Sequence, residues 1–194
     1  DISMASVRNW DKPFNTTLYA RWIDAQWARK ATFIGYDGSS VFESVAVDSS
    51  GNIYAAGYQS GEGVCTYGEG VSIAGTNSNN KVILVKYNST GTALWAKSET
   101  AGTYTSEFNS VAVDSSGNVY AAGEQLGTGS FTYGEGVSVA GTSSGYNVVL
   151  VKYNSSGTAL WAKSVTAGTN HSRFNSVAVD SSGNIYAAGE QWGT

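Results

Sequence analysis

Short apolar runs alternate with clusters of turn-forming residues along most of this chain. Four such runs have the length of ordinary strands and lie at 44–47, 53–57, 82–87 and 92–97. A cluster at 48–52 (DSSGN) separates the first run from the second, and a cluster at 88–91 (NSTG) separates the third from the fourth. Both clusters predict tight turns, because the side chains of Asp, Ser and Asn hydrogen-bond to the nearby backbone and Gly accepts positive φ. No segment has the spacing of an amphipathic helix. Two tight hairpins therefore predict a four-stranded antiparallel sheet.

This pattern is repeated along the chain. Residues 42–107 (first copy) and 108–173 (second copy) align without a gap and are identical at 48 of 66 positions, and residues 174–194 (third copy) match the start of both. A repeat of fixed length predicts sheets that pack on their neighbours and bury each other's apolar faces, as in propellers and solenoids. The period exceeds the roughly 40 to 50 residues usual for propellers, and the surplus at 58–81 contains YGEGV (67–71), which predicts an extra turn or small hairpin. The predicted fold is all-β, with consecutive four-stranded antiparallel blades of an incomplete β-propeller.

The residues ahead of the first copy divide into two segments. Residues 1–22 read as one aromatic-rich strand, the tail of another β module. Residues 23–41 are a linker in which Trp27 aligns with Trp95 and Trp161, so the last strand of a copy occurs once more. It is either a closing strand for a blade begun at the other terminus or the end of an earlier copy. The tryptophans repeated in the full copies are predicted to pack between sheets.

The repeated motifs resemble a known family. The order VDSSGN(I/V)YAAG, a glycine-rich segment with YG, and LVKYNS(S/T)GTALWAK is similar to the bacterial β-propeller repeat of seven-bladed propellers, over residues 42–194. The resemblance implies a secreted or surface-attached protein without an agreed catalytic activity. The family often has an Asp before the third strand, where this chain has Lys81 and Asn147, so no role of that acid is carried over. Upstream, TLYARW (17–22) resembles the closing strand of the internalin-type B-repeat.

Composition argues against several classes of function. Charged residues are 13% of the chain and the net charge is −4, so no basic face is expected to bind nucleic acid. No apolar run approaches the roughly 20 residues of a membrane-spanning helix, so no membrane span is expected. No P-loop, dinucleotide fingerprint, zinc motif or nucleophile elbow occurs, and no catalytic residue, metal or cofactor is predicted. The one cysteine, Cys65, aligns with Phe131 and is predicted to be a small buried apolar residue.

Differences between the copies identify the candidate binding residues. The turns hardly change, whereas the differences collect in the links between the second and third strands and between copies. In a propeller blade these links share one face, and loops on a rigid scaffold carry recognition. The candidate ligand-binding residues are Tyr104, Leu126, Tyr146, His171 and Trp192. Neutral drift in exposed loops is the alternative explanation.

Repeated acids offer two further candidates. Asp48, Asp114 and Asp180 place several oxygens together, but the turn lacks the roughly twelve-residue loop and distal Glu of an EF-hand, so a turn-forming role is favoured over calcium. Glu69 and Glu135 would have to meet across a glycosidic bond to act as a catalytic pair, and they lie in different copies.

The predicted function is a non-enzymatic binding or display module of a bacterial cell-surface or secreted protein, located outside the cell. It is expected to contact an extracellular glycan or protein through the variable links, and further copies of the chain are expected to complete the fold. A purely structural spacer is the alternative. A propeller glycoside hydrolase or lyase is a third hypothesis, which requires clustered acids, Arg or His; of four Arg in the chain, Arg173 alone lies within a copy.

Overall fold

The computed structural model describes residues 27–102 and 104–193, together with the backbone of two short paired strands, β1 (Val7–Arg8) and β2 (Leu18–Tyr19). Apart from these two strands, the predicted β module at 1–22 lies outside the described residues. All regular structure in the described part is β-strand, in antiparallel sheets of which one is curled. The described residues include no helix long and apolar enough to cross a membrane. The prediction of an all-β protein is confirmed.

The first copy forms a four-stranded antiparallel sheet. In spatial order its strands are β3 (Thr32–Val47), β4 (Ile53–Gly68), β5 (Val71–Tyr87) and β6 (Ala93–Lys97). Both predicted hairpins are present, and the predicted extra turn lies between β4 and β5 at Glu69 and Gly70. Strands β3, β4 and β5 are longer than predicted, because the surplus segment continues β4 and β5 and the linker residues 32–36 pair alongside β4. Strand β6 matches its predicted bounds to within one residue.

The second copy has the same four-stranded sheet with a different surplus segment. Its sheet contains β7 (Ser106–Val113), β8 (Val119–Leu126), β11 (Tyr146–Tyr153) and β12 (Ala159–Ser164). The surplus forms a separate hairpin of β9 (Ser130–Gly134) and β10 (Val137–Ala140). The described part of the third copy is a hairpin of β13 (Ser172–Val179) and β14 (Ile185–Gln191).

The three sheets stack in chain order and share their cores. One buried cluster joins Tyr54 and Leu84 of the first copy to Phe108 and Val151 of the second, and another joins Tyr120 of the second to Val177 of the third. Each sheet therefore removes the apolar face of its neighbour from water, at about 25 cal/mol per Å² of apolar surface. The arrangement of these sheets as blades of a propeller stays a prediction.

Equivalent contacts tie each copy to the next. Trp95 Nε1 donates to the Ser155 carbonyl at 3.3 Å, and Trp27 Nε1 donates to the carbonyl of the equivalent Ser89 at 3.0 Å. Residues 27–30 lie outside any strand, yet Trp27 contacts the first copy as Trp95 contacts the second. On the far face of the first sheet, Cys65 is fully buried and unpaired, as predicted.

Candidate functional site

A β-bulge brings two carboxylates opposite each other in the sheet that contains β7 and β8. The pairing of β7 with β8 shifts by one residue at Asn109, so Glu107 pairs with Glu124, whereas without the shift it would face Gln125. Gly123 permits the shift, because a Cβ at this position would lie 1.9 Å from the Glu107 carbonyl oxygen. Directly opposed residues place their Cβ atoms about 4.5–5.5 Å apart on one face of a sheet, and like charges there repel.

The same bulge in the hairpin of β13 and β14 creates an ion pair beside these acids. Arg173 pairs with Glu190 across β13 and β14, and its Nε contacts Glu190 Oε1. Both strand pairs border one pocket of about 180 Å³ between the second and third copies, here named the edge pocket. The residues that line the edge pocket are Glu107, Glu124, Tyr146, His171, Ser172, Arg173, Glu190 and Trp192.

Three aromatic rings form one side of the edge pocket. The His171 imidazole stacks on the Trp192 indole with ring centroids 5.3 Å apart, and the Tyr146 ring meets His171 edge-on at 6.0 Å. The Trp192 amide also donates to the His171 carbonyl at 2.9 Å. Gly145 leaves room for the imidazole, since a Cβ there would lie 2.1 Å from His171 Nε2. Trp192 remains 56% exposed, so the indole face that His171 does not cover is open to a ligand.

Glu124 is the most perturbed carboxylate of the edge pocket. Its side chain is buried, and its Oε2 has no hydrogen-bond partner among the described residues. Burial raises the pKa of Glu124 to about 7, the charges of Glu107 and Glu190 add to the rise, and the Arg173 guanidinium opposes it. Near neutral pH this carboxyl group therefore exchanges a proton readily and presents an unsatisfied acceptor to the pocket.

The other acids of the edge pocket have partners. Glu107 accepts a hydrogen bond of 2.6 Å from Asn80 Nδ2 of the first copy, and Glu190 is held by Arg173. Among the described residues, no group of three or more His, Cys, Asp or Glu is arranged to hold a metal ion. The pocket thus combines flat aromatic surface with one unpaired acceptor, a combination suited to a small polar ligand with an apolar face.

Three of the five predicted binding residues line the edge pocket, namely Tyr146, His171 and Trp192. Tyr104 is 52% exposed and lies outside the pocket lining. Leu126 is also outside it; its amide donates to the Thr105 carbonyl at 2.8 Å and its backbone pairs with Tyr146. The structure therefore groups Tyr146, His171 and Trp192 and leaves Tyr104 and Leu126 outside the edge pocket.

Sequence reasoning missed the charged half of the edge pocket. The sequence marked Glu124 and Glu107 only as positions that differ between copies: Glu124 aligns with Tyr58, and Glu107 aligns with Arg173. One signal was available in the sequence: Glu107 is replaced by Arg173 in the next copy, whereas Glu124 is retained as Glu190. This change converts a pair of like charges into an ion pair. The bulge hid this signal, because a regular hairpin register does not place these residues opposite each other.

Lys81 and Asn147, which the structure places within β5 and β11, stabilise loops. Lys81 Nζ lies 3.3 Å from Glu99 Oε1 and donates to the Gly102 and Tyr104 carbonyls at 2.8 and 3.1 Å. Both charged side chains are almost fully buried. Burial raises the pKa of Glu99, and the Lys81 charge opposes that rise. This ion pair fixes the link between the first and second copies.

Asn147 takes the place of Lys81 in the second copy and uses neutral hydrogen bonds. Its amide nitrogen donates to the Gly127 and Gly145 carbonyls at 3.0 and 2.9 Å, and its Oδ1 accepts from the amides of Thr142 and Ser143. These bonds hold the loop 141–145, which leads into Tyr146 of the edge pocket. Asn147 therefore positions one wall of the pocket.

The repeated aspartates form turns. Asp48 accepts hydrogen bonds from the amides of Ser50 and Asn52, from Asn52 Nδ2 and from the Tyr54 hydroxyl, at 2.8–3.1 Å. Asp114 and Asp180 accept the equivalent four bonds. Although partial burial alone would raise it, the bonds from Asn52, Tyr54 and Ser50 lower the pKa of Asp48. The carboxylate is saturated by protein donors, which is the turn-forming role that the sequence favoured.

Glu69 and Glu135 are exposed at the tips of hairpins in different copies and take no part in the edge pocket. The resemblances to the bacterial β-propeller repeat and to the internalin-type B-repeat rest on the sequence motifs. No protein-family model matches the chain, and no curated protein matches it.

Proposed function

We propose that this chain is a non-enzymatic binding module of a bacterial cell-surface or secreted protein, made of consecutive four-stranded propeller blades, and that it binds an extracellular glycan in the edge pocket. The observation that carries the proposal is the make-up of this pocket. It lies where two copies meet, and all its lining residues except Ser172 occupy positions at which the copies differ. A surface that varies on a repeated scaffold is where recognition is expected.

The changes between equivalent positions all alter side-chain chemistry. They are Tyr58 to Glu124, Asn80 to Tyr146, Thr105 to His171, Glu107 to Arg173, and Leu126 to Trp192. Three of the five introduce an aromatic or imidazole ring, one introduces a charge and one reverses the sign of a charge. Drift in exposed loops would not be expected to gather rings and charges around one concave site, which favours a binding module over a spacer.

The chemistry of the edge pocket supports a saccharide ligand. A sugar ring has an apolar face of C–H groups that packs on an indole, and its hydroxyls donate to carboxylates and accept from guanidinium groups. The open face of Trp192, the Glu124 carboxyl and Arg173 supply these three partners within one lining. The volume of about 180 Å³ suits one residue of a glycan, whereas pockets for drug-sized ligands hold about 300–1,000 Å³.

Direct binding measurements test this proposal. We expect glycan arrays and calorimetry to show saccharide binding that falls by at least about tenfold in Trp192→Ala, which removes the stacking surface. Tyr104→Ala is the matched control, because Tyr104 is as exposed as Trp192 but lies outside the lining. Binding of an extracellular protein instead of a glycan, with the same dependence on Trp192, would move the proposal to a protein ligand. Absence of any ligand would leave the structural spacer.

A glycoside hydrolase is the second candidate, favoured by one observation. A carboxyl group with a raised pKa beside other carboxylates is the arrangement of a general acid in glycosidases, and Glu124 has a pKa of about 7 with Glu107 and Glu190 nearby. Release of shorter saccharides by the wild-type chain, abolished in Glu124→Gln, would support it. A ligand recovered uncleaved after long incubation would support the binding module.

A further inference from the structure

The charges of the edge pocket do not balance. Three carboxylates and one guanidinium are present in its lining. Arg173 is engaged by Glu190, and Glu107 receives the amide of Asn80. Glu124 is the acid left without a partner: it is more than nine-tenths buried and its Oε2 meets no donor within the described part of the chain. Buried carboxylates are stable when a cation or several donors accompany them.

A neutral hydroxyl group would relieve only part of this imbalance. It would satisfy Glu124 Oε2, but the repulsion between Glu107 and Glu124, which face each other across β7 and β8, would remain. A cation placed beside Glu124 reduces both effects, because it attracts each carboxylate. The aromatic rings add to the attraction, since the faces of Trp and Tyr carry negative potential.

We propose that the edge pocket binds an amino sugar, with the ammonium group of the sugar beside Glu124 and the sugar ring on the open face of Trp192. This inference rests on the proposed function and names its ligand class. A sugar is favoured over a lysine side chain because an exposed indole matches the flat face of a pyranose, whereas a lysine stem is a narrow chain. His171 stacks on Trp192 and Tyr146 packs against His171, so these two rings hold the indole in place.

The protonation of Glu124 supplies a second signature. The groups that face this carboxyl in the pocket are Glu107, Arg173, Glu190, Tyr146 and His171. An ammonium group binds the ionised form, so binding at mildly acidic pH, where the sugar amine is already protonated, releases a proton from Glu124, whose pKa is about 7 in the free protein. The heat of binding should therefore depend on the ionisation enthalpy of the buffer.

Calorimetry on the full chain with three matched trisaccharides tests the inference: β-linked glucosamine, its N-acetylated form and the corresponding glucose oligomer. We expect the glucosamine trisaccharide to bind at least about tenfold more tightly than the other two. Glu124→Gln should remove this preference and the proton release, and Glu124→Asp, which retains the carboxylate, should restore part of both. Glu135→Gln, an exposed acid in the same copy, should change neither. Thermal melts establish that each variant is folded.

The possible failures separate the two proposals. Equal binding of all three trisaccharides, abolished by Trp192→Ala, would overturn the ammonium inference and leave the glycan-binding function intact. Tighter binding of a lysine tripeptide than of the glucosamine trisaccharide, lost in Glu124→Gln, would overturn the sugar as the source of the ammonium group. Absence of binding by every saccharide would overturn the proposed function, and the inference with it.

Discussion

The two junctions between copies share one packing scheme and differ at their edges. At the first junction the Val111 amide donates to Ser44 Oγ at 3.2 Å, and at the second the Val177 amide donates to Ser110 Oγ at 3.0 Å. At the edge of the first junction, however, Asn80 donates to Glu107, whereas the second has the aromatic and charged edge pocket. Repetition of the packing contacts therefore allows the edge residues to change without rearranging the stacked sheets.

The links that border these junctions show the same contrast. The first copy holds its link with the buried pair Lys81 and Glu99, and the second copy has Asn147 and Val165 at the equivalent positions. Both members of the pair change together, so at these two positions neither link leaves a buried charge without a partner. A buried ion pair and a neutral hydrogen-bonding loop are alternative ways to secure one backbone position.

The largest expected effect comes from breaking this ion pair on one side. Lys81→Ala should lower the free energy of unfolding by about 3 kcal/mol, because it leaves Glu99 buried without its cation. The double variant Lys81→Asn with Glu99→Val, which installs the residues of the second copy, should recover most of this loss. Chemical denaturation measures both, and a double variant no more stable than the single one would contradict the equivalence of the two links.

A second variant tests the bulge that aligns Glu107 with Glu124. Gly123→Ala should lower the free energy of unfolding by about 2 kcal/mol, because the new Cβ would meet the Glu107 carbonyl at 1.9 Å and the backbone must shift. Gly136→Ala serves as a comparison, since nothing lies within 4 Å of a Cβ there; its cost comes from its positive φ of 70° alone. Equal stability of Gly123→Ala and wild type by denaturation would show that the bulge tolerates a side chain.

Glu124, which lies at the second junction and is replaced by Tyr58 at the first, should make the free energy of unfolding depend on pH. Its folded pKa of about 7 exceeds the ordinary value of 4.5, so its contribution to stability is fully present below pH 4.5 and is lost as the pH rises through about 7. Glu124→Gln should remove this decline and be more stable than wild type at about pH 8 by about 1–2 kcal/mol. Urea denaturation between about pH 5 and pH 8 measures it. A parallel decline in the variant would assign the pH dependence to other groups.

The smallest effect tests the shared packing scheme itself. Ser44→Ala and Ser110→Ala each remove the acceptor of one amide of the next copy, so each should cost about 1 kcal/mol. The two losses should agree within a few tenths of a kcal/mol in denaturation experiments, and they should add in the double variant because the sites are distant. Clearly unequal losses would show that the junctions are not equivalent in energy.

Local sequence determined the hairpins and the choice of candidate surface. The DSSGN turn forms in all three copies because Asp48 and its equivalents bond the backbone that follows them, and these interactions span at most six residues. Comparison of the copies likewise identified Tyr146, His171 and Trp192 as candidates from the sequence by itself. Such features depend on neighbouring residues or on differences visible in the chain itself.

Tertiary structure alone decided the rest. In the first copy the segment around YGEGV extends β4 and β5, and residues 32–36 pair with β4. In the second copy the equivalent segment forms the separate hairpin of β9 and β10, which the chain before it contacts by an isolated bridge from Ala101 to Thr132. The bulge opposite Gly123 set Glu107 against Glu124. Face-to-face packing then joined these acids to Trp192, far along the chain. Register and stacking depend on contacts between distant segments, and local propensity does not encode them.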